Sequence, residues 1–145
     1  MGPLFGYGSF VTTSVTTVAA NAAMAGWTST NSGGATPVAT VGGTGNIQIT
    51  LPVAGDYFVQ FHTTKRSNNN AAVLQVYTGA NCTGTAQSIL GESATSGVGV
   101  TASGIIRTTS ANTTLQVCQK GTQSITAAPT TAGALTGMLT VMRVN

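Results

Sequence analysis

Charge is what this sequence has least of. Only 5% of its 145 residues are Asp, Glu, Lys or Arg, against roughly a quarter in an ordinary soluble protein. Lys65, Arg66, Arg107, Lys120 and Arg143 stand against Asp56 and Glu92 alone, and apart from the Lys65-Arg66 pair they are scattered. Neutralising several phosphates takes a basic stripe, so nucleic acid is excluded as a partner. The pI near 9.2 reflects few acids rather than many bases. Catalytic groups are equally scarce. One His, one Asp and one Glu give no catalytic residues to name, no carboxylate cluster for a metal and no sign of a cofactor. No apolar run approaches the ~18 residues of a membrane-spanning helix. Met1-Gly2-Pro3 lacks the basic, apolar and small-residue regions of a signal peptide, so the chain is expected to be a fragment or to use an export route that it does not display.

What is present is β-forming. Hydrophobic residues make up 41% and the mean hydropathy is +0.25, which excludes a disordered chain. Thr and Val, stiff at χ1, suit a pleated sheet, while 19 Gly and 4 Pro cut the chain into short pieces. Val18 to Gly26 is the one helix-like window, and it is too short for more than a turn. Elsewhere the period is two. Ile47, Ile49 and Leu51 alternate with Gln48 and Thr50; Pro52-Val53-Ala54-Gly55 breaks the run as a tight turn; Tyr57, Val59 and Phe61 then alternate with Phe58, Gln60 and His62. Further windows fall at Phe10 to Val18, Val73 to Thr78, Thr85 to Leu90, Val98 to Arg107, Thr113 to Gln119 and Leu135 to Val144. About eight to ten antiparallel strands in one domain spanning 1–145 predict an all-β jelly-roll sandwich.

Gly45 to Phe61, with its strand, Pro-x-x-Gly-x-Tyr turn and strand, resembles the jelly-roll heads of the tumour necrosis factor and complement one-q superfamily. Gly137 to Asn145 resembles their last strand. Heads of this kind cap bacterial spore, phage and other surface fibres, where they form trimers. The resemblance therefore implies an extracellular homotrimer at a fibre tip, with residues 1–9 next to a stalk. Tyr57 to Phe61 and Leu135 to Val144 are the strands expected to supply side chains to the threefold axis.

Recognition is the function that remains. Lys65, Arg66, Asn68, Asn69 and Asn70 concentrate charge and amide donors in one loop. On the plain reading they are a solvated tip, and on the functional one they bind a glycan or cell-envelope receptor through bidentate hydrogen bonds. Trp27 reads first as core, and as a sugar-stacking platform if exposed. His62 reads as a strand-end histidine, and it is six residues from Asp56, ~20 Å along a strand, too far to form a dyad. Gly42-Gly43-Thr44-Gly45 and Gly97-Val98-Gly99 lack the context of a phosphate loop and read as turns. Cys82 and Cys118 fit either one disulfide or two buried thiols. With strands alternating up and down, Cys82 falls at the base and Cys118 nearer the tip, further apart than the ~5.5 Å of a bridge. Two functions compete: a receptor-binding fibre tip, and a structural trimerisation head without a ligand. A capsid jelly roll needs a basic arm, and the sequence has none.

Overall fold

The computed structural model describes residues 6–12, 16–33, 39–64, 70–94, 98–127 and 136–145. Among them there is no helix and there are twelve strands: β1 (Tyr7–Thr12), β2 (Thr16–Val18), β3 (Thr28–Gly33), β4 (Thr40–Gly42), β5 (Gln48–Leu51), β6 (Gly55–Thr63), β7 (Ala72–Thr78), β8 (Thr85–Ser93), β9 (Val100–Thr108), β10 (Thr113–Gln119), β11 (Ile125–Ala127) and β12 (Gly137–Arg143). Ten of them form two five-stranded antiparallel sheets: a front sheet, β3-β1-β12-β6-β9, and a back sheet, β4-β5-β10-β7-β8. β2 and β11 pair separately. The jelly-roll sandwich expected from the alternation is the fold found, and the extra strands are short ones.

Period-two burial builds the core. Phe10, Leu139 and Phe61 lie side by side on three adjacent front strands and point inward. They meet Ile49, Leu51, Leu74, Val76, Leu115 and Val117 of the back sheet. Glycine makes room for the core: a Cβ at Gly8 would stand 2.9 Å from the ring of Phe10, two residues along the same strand. The Pro52 to Gly55 turn does not join paired strands. It carries the chain from the back sheet (β5) to the front sheet (β6), and the Tyr57 hydroxyl donates to the Val53 carbonyl at 2.6 Å to close it. Gly55 is needed there, because its φ is +152° and a Cβ would collide with the Asn145 carbonyl and approach Arg143 Nε at 2.9 Å.

One expectation is corrected by tertiary contacts. The Phe10 to Val18 window is two strands, β1 and β2, in different sheets. As expected, Val18 to Gly26 forms no more than a turn, with Asn21 left-handed at φ 61°, and it then runs extended beside β10. There the Met24 amide donates to the Val117 carbonyl at 2.8 Å and Ala23 bridges to Cys118. This path drops Met24 and Trp27 into the core. Tyr7 to Ser9, the last of residues 1–9, belong to β1.

Cys82 and Cys118 form a disulfide, with Cα atoms 5.7 Å apart. The up-and-down layout set them too far apart because it pictured the β7–β8 connection as projecting from the base. Instead, residues 79–84 fold back over the outward face of β10. The Gln116 amide donates to the Gly79 carbonyl at 3.0 Å while its oxygen accepts from the Cys82 amide at 3.5 Å. Left-handed Gly79 (φ 88°) and Cys82 (φ 54°) reverse the chain. The fold-back buries Gln116 and both cysteines.

Candidate interaction face

With one side of each strand committed to the core, the opposite parity decides what the front sheet presents outward. Three rows cross it at right angles to the strands. Tyr7 pairs with Met142, Met142 with Phe58, and Phe58 with Ile105, which makes a continuous apolar and aromatic row over β1, β12, β6 and β9. The next row, Ser9, Thr140, Gln60 and Ser103, is small and polar. The third is Val11, Met138, His62 and Thr101. Ile105 is 56% exposed, Met138 45% and Met142 43%, making this the place where large apolar side chains meet water together. Across these twelve positions there is no Lys, Arg, Asp or Glu.

Among the described residues of this sheet, charge returns only at the end that holds Asn145. Asp56 and Arg107 are opposite one another on β6 and β9, and Arg107 donates to both carboxylate oxygens, at 2.7 and 3.0 Å. Asn145 donates to the same carboxylate at 3.5 Å. The Arg107 hydrogen bonds hold the Asp56 carboxyl below its usual range and raise the guanidinium in turn. Burial pushes the Tyr57 phenol up. His62 Nδ1 is 2.7 Å from Thr101 Oγ1. Among the described residues no three of His, Cys, Asp and Glu come together as metal ligands would.

Of the windows expected to face a threefold axis, Tyr57 to Phe61 and Leu135 to Val144, the first lies in β6 and the second contains β12, both front-sheet strands, but their periodic apolar residues Tyr57, Val59, Phe61, Leu139 and Val141 are core. It is the other parity, Phe58, Met138 and Met142, that faces out. Sequence reasoning missed this row, although its signal was present: apolar residues on the parity that a half-exposed sheet reserves for polar ones.

The predicted ligand residues fare unevenly. Lys65, Arg66, Asn68 and Asn69 lie outside the described residues. Asn70 is half-buried and its amide donates to the Ser124 carbonyl at 2.8 Å, tying the start of β7 to the turn after β10. Thr64 and Asn70, the described residues on either side of Lys65 to Asn69, are at the end of the sandwich opposite Tyr7 and Asn145. Trp27 is 1% exposed and so offers no stacking surface; its indole fills the space over Gly137.

The strand order and the near-complete path of the chain recur in known structures. An Eiger tumour necrosis factor from S. frugiperda superposes with a TM-score of 0.71 at 10% identity, covering 99% of this chain and 94% of that one. The fold is a tumour necrosis factor-like jelly roll. Murine APRIL superposes with a TM-score of 0.66 at 6% identity, over 96% of this chain and 98% of that one. No family model and no curated protein matches the sequence. The tumour necrosis factor-like jelly roll is thus carried here by a sequence far from those two, with core parity and turn geometry doing the work of identity.

Proposed function

We propose that this chain is the non-enzymatic, homotrimeric head of an extracellular fibre, self-associating through the front sheet and presenting the opposite end of the sandwich to a glycan or cell-envelope receptor. One observation carries the assembly: a sheet face of twelve uncharged positions with an unbroken apolar row across four strands. Exposed apolar rows are costly on a monomer and mark interaction sites. A face free of net charge suits burial against copies of itself, because no ion has to be desolvated or paired. The fold-level likeness to tumour necrosis factors supports trimer as the number. The disulfide supports an oxidising, extracellular setting.

The receptor half of the reading rests on Lys65, Arg66, Asn68, Asn69 and Asn70, the sequence's only concentration of charge and amides, bracketed by residues at the far end. Three such sites per head, and many heads per particle, raise avidity by orders of magnitude without new contacts. Light scattering at micromolar concentration tests the assembly, and a monomer mass rejects it. A whole-cell or glycan-array assay of wild type beside Arg66→Ala/Asn69→Ala tests the site. Loss of binding with an unchanged melting curve is expected, since exposed loop substitutions cost under about 0.5 kcal/mol. Equal binding moves the site elsewhere, and no binding by either protein favours a purely structural head.

A further inference from the structure

We propose that His62 makes self-association of the front sheet acid-labile, because the register sets the chain's one imidazole in the outermost row of a face whose twelve positions carry no acid. The proposal rests on the assembly reading above. His62 stands between Met138 on β12 and Thr101 on β9, with Val11 beyond Met138 in the same row. Its Nδ1 is fixed by the Thr101 hydroxyl at 2.7 Å. Gly99 keeps one ring edge clear, since a Cβ there would stand 3.0 Å from the imidazole Cε1.

The charged groups around it give no counter-ion. On its own strand and face Asp56 is six residues away, ~20 Å, and already holds Arg107 through two hydrogen bonds. β9 contributes only that Arg107 and β12 only Arg143, at the far end beside Tyr57. β1 carries no charge, and Glu92, the remaining acid, is on β8 of the back sheet opposite Val73. Lys65 and Arg66, three and four residues after His62, have the sign of an imidazolium, and Thr95, Ser96 and Gly97 do not titrate. A second copy of the face brings the same inventory.

Histidine is the side chain that gains charge between about pH 8 and pH 5. Neutral, it can be buried against Met138 and Thr101 with its hydrogen bond intact. Protonated, it would put an unpaired cation into every copy of an interface that lacks anions, at the cost of desolvation and mutual repulsion. Association should then require loss of the proton. For each pH unit below the imidazole midpoint the association constant falls about tenfold per protomer.

Sedimentation velocity of the full chain at about pH 7.5 and about pH 5.5, at one ionic strength, tests this beside His62→Gln, which retains an amide for Thr101. The expected result is an assembly at the higher pH that dissociates or weakens at the lower one, with His62→Gln assembled equally at both. If the glutamine variant does not fold, His62→Phe takes its place. Wild type assembled equally at both pH values overturns the proposal while leaving the assembly reading intact, and so does a variant that dissociates in acid as wild type does. A wild-type monomer at the higher pH overturns the assembly reading itself.

Discussion

The two sheets treat their outward faces in opposite ways. On the back sheet the chain covers itself: residues 79–84 lie over β10, Gln116 is hydrogen-bonded beneath them, the Cys82–Cys118 disulfide pins them down, and Lys120 stands 4.9 Å from the centre of the Tyr77 ring. On the front sheet nothing of the described chain crosses the three rows, and Met138, Met142 and Ile105 stay in water. Both sheets have the same strand number and the same inward alternation, so the difference is not one of fold. A face covered by its own loop is finished within one protomer. A bare apolar face is finished only by a partner, and burying about 100 Å² of apolar surface there is worth roughly 2.5 kcal/mol.

The largest break in this contrast comes from the covered side. Replacing both cysteines with Ala reopens a loop spanning 36 residues, and the loss of roughly 3 to 4 kcal/mol should lower the melting temperature by about 10 °C. Calorimetry of the variant, or of wild type under reductant after unfolding, measures it. A change within error would mean that the fold-back is held by its hydrogen bonds alone. The bare side should respond through association instead. Ile105→Asp puts a carboxylate in the apolar row, and light scattering should report at least a hundredfold weaker assembly, about 2.7 kcal/mol, with little loss of protomer stability.

Gln116→Leu sharpens the comparison on a smaller scale. It leaves the Cys82 amide without its side-chain partner under the loop and the Gly79 carbonyl with the Thr114 hydroxyl as its remaining side-chain donor, so chemical denaturation should reveal a loss of about 1 to 2 kcal/mol, while the assembly mass stays as in wild type. The smallest effect belongs to Asp56 at the margin of the bare face. Its carboxyl titrates below the 3.8 of a free group because Arg107 hydrogen-bonds the charged form. The lowered folded value makes the contribution complete above 3.8 and lost as the pH falls through the lower, folded value. Melting curves of Asp56→Asn should therefore lie slightly below wild type at neutral pH and merge with it in strong acid.

Much of the fold was legible because alternation is local. Tyr57, Val59 and Phe61 read as one buried face and are one; Gly55 and Tyr57 read as a turn and close one. The candidate site was less legible for the same reason. Period two separates the faces of a strand without saying which other strands lie beside it, so Phe58 read as one apolar residue among polar neighbours. Only the register that sets it between Met142 and Ile105 makes a row. The loop around Lys65 and Asn70 was chosen for composition, and Asn70 turns out to spend part of its amide on Ser124.

By itself the sequence determined that the chain forms strands, that those strands bury one parity, and that Pro52 to Gly55 turns. These follow from side-chain shape and backbone permission, which act within a few residues. Tertiary structure alone decided that Cys118 meets Cys82, that Trp27 is sealed above Gly137, and that β10 of one sheet is roofed while the described residues leave the other sheet bare. Each depends on segments tens of residues apart being brought within a few ångströms, and that proximity is set by sheet order and by where a loop folds back, neither of which leaves a periodic trace in the chain.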